Sequence, residues 1–525
     1  MNIDQKTYER RWWIFGVLAI SVFIVVVDNL IVNVTLPTLQ QELNASTTSL
    51  QWIVDSYALV FAGLLLAGGG LGDRFGRKGA LQLGLLLFGI FSAFGAFANS
   101  STELIIWRGA MGIGAALVFP ATLAIITNLF VDPIERAKAI GLWSAVSGMA
   151  VAFGPISGGL LLEHFWWGSV FLINVPIVLI AIGAGAFLIP KSRDENPHAI
   201  DYGGFVLSVI AIGAIVFTVI ESPIWGWGST KSNIGFVVGF AALVMFVKYE
   251  SRRTHPLLDV RVFRNPRLSA AAASIGIAFF CLFGFVFMVT QYFQFVRGYD
   301  TLLAGIATLP FAVGAGVTAP FAARAALRWG TKRVVALGLF NMSLGIFLAS
   351  FMTQESEYFG LVIISMVLMA NGLSLVTSPS TDAIMGTLQR DKAGVGSAIN
   401  DTGREVGGVL GVAVVGSVFV SLYSPKIAEN FDKIPGFTEN LPTGLLGVAE
   451  DSVGAAYQIA QQAPEALREQ VQDAVSNAFL QGFATACIVA SVIAMVGAVF
   501  ALKYLPARPD SHQGLPNPAD LQDSL

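Results

Sequence analysis

The chain alternates between long apolar runs and short polar segments rich in glycine, proline and charge. A helix of about 20 apolar residues crosses a hydrocarbon core of ~30 Å, because each residue rises about 1.5 Å. Fourteen such runs are expected, over residues 12–36, 51–71, 79–98, 103–127, 139–162, 169–189, 203–221, 233–249, 268–294, 303–323, 333–352, 358–384, 396–423 and 479–504. The pattern predicts an all-α polytopic membrane protein. Composition agrees, with 525 residues of which 55% are hydrophobic and 12% charged, and a mean hydropathy of +0.69, outside the range of soluble chains. The first run starts at Trp12 behind Lys6, Arg10 and Arg11. It is longer than a signal-peptide core and has no small-residue cleavage site, so it is expected to stay in the mature protein.

Orientation follows from where lysine and arginine fall. Of 31 basic residues, 25 lie in the alternate segments that include the N-terminus, five in the others, and Arg108 inside a span. Both termini are therefore expected in the cytoplasm, and the bias supports an even number of spans. The net charge of −3 says little about partners, since the two membrane faces contribute opposite signs. The expected surroundings are a lipid bilayer, without nucleic acid. Cys281 and Cys487 stand singly within expected helices, so neither a disulfide framework nor a metal cluster is expected. The longest hydrophilic stretch, 424–477, carries turn signals at Ser424-Pro425 and Leu441-Pro442-Thr443-Gly444, followed by a helical-looking SVGAAYQIAQQ (452–462). It is expected to be an outside loop that caps the extracellular mouth.

An internal repeat sets the architecture. GGLGDRFGRK (69–78) joins spans 2 and 3, and a degraded copy, ALRWGTKR (326–333), joins spans 10 and 11. Two parallel six-helix bundles follow, with spans 7 and 8 as an inserted pair that restores the original side. The expected divisions are 1–189 for the first bundle, 190–267 for cytoplasmic linkers and the inserted helices, 268–505 for the second bundle with its loop 424–477, and 506–525 for a cytoplasmic tail.

GGLGDRFGRK resembles the cytoplasmic signature of the major facilitator superfamily. WRGAMGIGAA (107–116) resembles its fourth-helix motif, with Met111 where the family often has glutamine, and GMAVAFGPISGG (148–159) resembles the fifth-helix motif of antiporters. With VVDNLIVNVTLP, FLINVPI (171–177) and AGVGSAINDTGREVGGVLG (393–411), the chain is similar over nearly its whole length to fourteen-spanner drug:H+ antiporters, the group of quaternary-ammonium and multidrug efflux pumps. The resemblance implies the superfamily fold in the plasma membrane and export of lipophilic, cationic drugs against protons. It does not specify a substrate.

Each motif has a physical reading. In the gating motif Gly69, Gly72, Asp73, Arg74, Gly76 and Arg77, Gly72 and Gly76 are expected to force a tight turn. Asp73 is placed to accept bonds from Arg77 or a neighbouring helix N-terminus, forming a breakable cytoplasmic clamp. The alternative is a basic loop that only enforces topology. Gly154, Pro155, Gly158 and Gly159 put small residues four apart on one helix face and allow close approach and a kink, as a hinge and seal or as plain close packing.

Charges inside the spans are the candidates for coupling. An ionised carboxylate there costs at least ~2.5–3.5 kcal/mol. Asp28, Asp55 and Arg108 all fall in the outer half of spans 1, 2 and 4. Two carboxylates and one guanidinium leave one excess negative charge, which in a dry site binds a proton or a cation. Asp28, flanked seven residues away by Ser21 and Thr35, is expected on a cavity-facing stripe, where it would exchange a proton for a cationic substrate. Alternatives stay open: a structural Asp28–Arg108 pair, and an Asp55 simply solvated beside Trp52. The resemblance implies coupling roles for all three, since the quaternary-ammonium pumps carry acids in helices 1 and 2 and an arginine in helix 4. Where such pumps use an acid in helix 10, this chain has VGAGVTAP (313–320), so strong recognition of divalent cations is not expected.

In span 13, Glu405 is deep enough to reach a central cavity, while Asp401 is expected to pair with Arg404. Glu221, beside the interfacial SPIWGW, is expected to be solvated, and Asp382 lies toward the inner end of span 12. The 39 phenylalanines predict a greasy lining suited to lipophilic cations, for which Trp143, Phe153, Phe280, Phe287, Gln291 and Phe311 are candidates. No nucleotide-binding motif is present, so the expected drive is the proton-motive force, with no cofactor or metal. All four histidines fall in expected loops or the tail, which argues against an enzyme. A monomeric exporter is expected; a same-fold carrier of a lipid, metabolite or amino acid, and a non-transporting receptor, are the alternatives.

Overall fold

The computed structural model describes residues 5–130, 132–190, 192, 201–254, 256–387, 393–442 and 444–506. The tail expected at 506–525 lies almost wholly outside the described residues. All regular structure among the described residues is helical. Long helices occupy the expected places: α1 (Arg11–Glu42), α2 (Thr47–Phe75), α3 (Arg77–Ala96), α4 (Ser101–Leu129), α5 (Pro133–His164), α6 (Asn174–Leu188), α7 (Tyr202–Trp225), α8 (Thr230–Glu250), α9 (Pro266–Gln291), α10 (Leu309–Trp329), α11 (Thr331–Ala349), α12 (Ile363–Thr387), α13 (Ala393–Asp432) and α14 (Glu465–Tyr504). Among the described residues, thirteen helical stretches are long and apolar enough to cross a membrane. The 32-residue α5 stands in the place of the fifth span.

Helix pairing repeats between the halves. In the first half α1 packs on α5, α2 and α3 on α4, and α3 on α6; in the second α9 packs on α13, α10 and α11 on α12, and α11 on α14. The repeated turn shows the same correspondence at single residues. Gly76 ends α2 and starts α3 with φ +112°, and Gly330 ends α10 and starts α11 with φ +84°, values that suit a residue without Cβ. Gly72, expected to share in the first turn, sits inside α2. Gly76 alone forces the reversal, because one residue at positive φ is sufficient to redirect the chain.

The halves meet where α2 packs on α13 and where α5 packs on α10 and on the short helix Thr301–Ile306. The inserted pair is not part of either six-helix unit: α7 packs on α8 and also touches α2 and α13. The end of the bundle expected to face outside is called the outer end below.

The helix expected over 452–462 is present as Val453–Gln462, and the rest of 424–477 is more helical than expected. α13 continues through Pro425 to Asp432 and α14 begins at Glu465, with helices Phe437–Asn440, Leu445–Asp451 and Val453–Gln462 between them. A proline removes one backbone donor without always ending a helix, and polar helix beyond the membrane leaves no apolar run to detect. This cap is packed: Tyr423 donates to the Ala449 carbonyl at 3.1 Å, and Tyr457 stacks on Phe295 at 5.7 Å. The Tyr457 hydroxyl shares a 2.6 Å hydrogen bond with Ser476, while burial pushes its pKa up to about 12.

Candidate functional site

Close helix packing in the first half begins with glycine. A Cβ on Gly112 of α4 would lie 2.6 Å from the Tyr57 carbonyl of α2, and one on Gly114 would lie 2.6 Å from the Gly84 carbonyl of α3. α4 is thus pressed between its neighbours, and Arg108, two turns into it, is completely buried. Its Nη1 donates to Asp28 Oδ2 at 2.5 Å and its Nε to the Ile53 carbonyl at 3.1 Å. The guanidinium lies 4.3 Å from the centre of the Tyr57 ring. Asp28 Oδ1 accepts from Asn174 Nδ2 at 2.7 Å, and the same amide reaches Ser92 Oγ at 3.0 Å. One ion pair therefore joins α1, α2, α3, α4 and α6 inside the first half.

The flanking polar residues of α1 do not extend this site. Ser21 and Thr35 turn their hydroxyls back to the Val17 and Ile31 carbonyls of their own helix. Asn174 was not picked out from the sequence; its one signal is a lone amide in the apolar run FLINVPI.

Asp55 is in the opposite condition. It is fully buried on α2, yet neither carboxylate oxygen has a hydrogen-bond partner. It faces a narrow cleft between the halves, lined by Asn29, Val54, Asp55, Ala58, Phe283, Glu405, Gly408 and Val412. Carboxylates from opposite halves thus look onto one space. Gly408 makes room for an aromatic wall, since a Cβ there would lie 3.0 Å from the Phe283 ring. Phe283 stacks on Phe279 at 6.2 Å, and the Arg404 guanidinium stands 5.0 Å from the Phe279 ring centre. Asp401 accepts a hydrogen bond from Asn400 at 3.0 Å.

None of the six expected lining residues is among those that line this cleft. Trp143 is buried, donating to Thr122 Oγ1 at 3.3 Å and meeting Phe119 edge-on. Phe153 is exposed and leans on Phe23. Phe280 lies against Gly411, whose added Cβ would sit 2.2 Å from the Phe280 carbonyl. Phe287 and Gln291 are enclosed in the core, the Gln291 amide donating to the Phe287 carbonyl at 2.9 Å, and Phe311 is buried too.

At the gating motif, the Arg77 N–H donates to the Ser192 carbonyl at 2.9 Å and Lys78 Nζ to the Ala186 carbonyl at 2.7 Å, tying the turn to the end of α6. The side chain of Asp73, on which the clamp depends, and Gly69 lie outside the described residues. The glycines of α5 show close approach on two adjoining faces. Gly154 and Gly158 press on Leu30 and Ile31 of α1. Pro155 and Gly159 face the helix Thr301–Ile306 of the other half, where a Cβ on Gly159 would lie 2.6 Å from Leu302 Cα.

Hydrogen bonds close the seam at the outer end. Gln51 Nε2 donates to the Ala413 carbonyl at 3.1 Å and reaches the Val412 carbonyl and Ser417 Oγ at 3.4 Å. Gln294 donates to the Val34 carbonyl at 2.8 Å, and Thr301 reaches the Gly159 carbonyl at 3.4 Å.

A bundle of two pseudo-repeated six-helix halves with a charged cleft at their seam is matched by sequence. The family model described as Major Facilitator Superfamily covers residues 18–412. The chain belongs to the major facilitator superfamily. It is 34% identical over 497 residues to the multidrug efflux pump LfrA of Mycolicibacterium smegmatis, covering 94% of this chain and 96% of that one. It is 34% identical over 481 residues to the methyl viologen resistance protein SmvA of Salmonella typhimurium, covering 90% and 93%. It is 32% identical over 510 residues to the tetracenomycin C resistance and export protein of Streptomyces glaucescens, covering 95% and 93%. Among solved structures, a bacterial homolog of the human lysosomal transporter Spinster aligns over 97% of this chain and 100% of its own with a TM-score of 0.63 at 16% identity. As a superfamily member the chain is a multi-pass transporter of the plasma membrane, and the family and its structural neighbours are transporters rather than enzymes.

Proposed function

We propose that this superfamily protein exports lipophilic, cationic drugs in exchange for protons, with Asp55 and Glu405 as the exchanging pair and Asp28–Arg108 as the fixed wall behind them. The observation that carries the proposal is the buried Asp55 carboxylate without a hydrogen-bond partner in the cleft it shares with Glu405. Such a group holds a proton or a cation, because a bare buried charge is too costly. The Asp28 charge, by contrast, is already balanced by Arg108. The names of the relatives, which refer to multidrug efflux and to resistance, support drugs as the substrate class.

Exchange follows from competition. A cation entering from the inner end binds between the two carboxylates and the Phe283 face and displaces protons. Opening at the outer end releases it, and protons from outside reload the acids. One inward proton supplies about 1.4 kcal/mol per pH unit and about 2.3 kcal/mol per 100 mV, so no cofactor is invoked. Glu405 supplies from α13 the second carboxylate that α10 lacks, which extends the proposal to organic dications such as methyl viologen. One chain contains both halves and the whole cleft, so a monomer suffices.

Purified protein in liposomes with an imposed pH gradient tests this. Ethidium movement should follow the gradient in wild type and stop in Asp55→Asn, while the pH dependence of ethidium binding should weaken to what Glu405 alone supplies. Gradient-driven ethidium movement at the wild-type rate in folded Asp55→Asn would remove Asp55 from the exchange.

A further inference from the structure

Two six-helix halves complete the repeat, and α7 and α8 stand outside it. Their position is nonetheless specific, because α7 reaches both halves at the outer end. On one side the Trp52 indole of α2 donates to Glu221 Oε1 of α7 at 3.0 Å, and its ring meets Phe217 at 5.6 Å. On the other side Ser417 Oγ of α13 donates to the Val219 carbonyl of α7 at 2.7 Å. Just beyond α7, the Trp227 indole donates to Ser421 Oγ of α13 at 3.1 Å.

These fastenings coincide with the seam itself. Trp52 adjoins Gln51, which bonds across to α13, and Ser417 both bonds α7 and lies 3.4 Å from the Gln51 amide. α2, α7 and α13 therefore meet at one polar junction. In an alternating-access carrier, α2 and α13 must part at this place for the outer end to open, and the α7 bonds must break or stretch with them.

We propose that the inserted hairpin is a strap across the outer seam, with Glu221, Trp52 and Trp227 as positioning residues that hold the outer ends of α2 and α13 together. Glu221 acts here as a hydrogen-bond acceptor rather than as a proton carrier. Even a hydrogen bond between neutral groups contributes about 0.5–1.5 kcal/mol, so each fastening shifts the closed-to-open ratio by about two- to tenfold or more. The inference rests on the two halves moving apart, and not on drug specificity or proton coupling.

The test is a distance between the halves, read without transport. Spin labels at Asn99→Cys and Lys433→Cys, exposed positions at the outer ends of the first and second halves, report outer opening by pulsed electron resonance; the native cysteines are buried. Glu221→Leu combined with Trp227→Phe should raise the longer-distance component at least fourfold, with the melting temperature showing that the fold persists. Glu221→Gln keeps an acceptor for Trp52 and should match the wild-type distance distribution. An unchanged distribution in the double variant overturns the strap. An opened distribution in Glu221→Gln overturns the acceptor role and assigns the effect to the charge. Because ethidium exchange is not measured, failure of the strap leaves the Asp55–Glu405 proposal standing, and the reverse also holds.

Discussion

Asp28 and Asp55 sit on neighbouring helices of the same half, both wholly buried, and the chain treats them in opposite ways. Asp28 receives a guanidinium on one oxygen and an amide on the other. Asp55 receives nothing, and faces the seam. A carboxylate with both oxygens engaged and its charge balanced is a poor exchanger, because a proton or cation must compete with existing bonds. A bare one is unstable until something binds. The membrane carboxylate suited to carriage is thus marked by absent partners and by contact with the moving boundary.

Four substitutions, measured by thermal unfolding in detergent, separate the two conditions. The largest effect belongs to Arg108→Leu, which strands a buried carboxylate and should cost about 3–5 kcal/mol, seen as a sharp loss of folded protein. Asn174→Ala removes one bond to a charged group and should cost about 1.5–3 kcal/mol, with the melting temperature falling by an intermediate amount. Asp55→Asn breaks no bond, so its melting temperature should stay at or above that of wild type; a fall as large as that of Asn174→Ala would show that Asp55 has a partner in the folded protein. Glu405→Gln, only partly buried, should change stability least, within about 0.5 kcal/mol.

The sequence made the spans and the repeat legible because both are written in local signals. An apolar run of membrane length announces itself, and RFGRK and RWGTK mark the two turns whose glycines adopt positive φ. It was less informative about the acids. Depth can be counted along a helix, but which side of α1 or α2 faces a partner depends on packing angles that no single segment contains. Ser21 and Thr35 therefore pointed to a cavity although each bonds its own helix. Phe283 was missed because Phe279, Phe283 and Phe287 recur at the same helical spacing, and only Gly408 on a different helix selects the one that enters the cleft. The polar extensions of α13 and α14 escaped because hydropathy detects membrane rather than helix.

Those extensions also bear on how the protein can be handled. At 40 residues each, α13 and α14 are about 60 Å long, twice the ~30 Å hydrocarbon core. Much of that excess, together with the short helices between them, stands in water as a rigid knob on an otherwise lipid-covered body. An antibody fragment or nanobody raised against the knob would give electron microscopy a fixed landmark, and would grip the second half without entering the cleft.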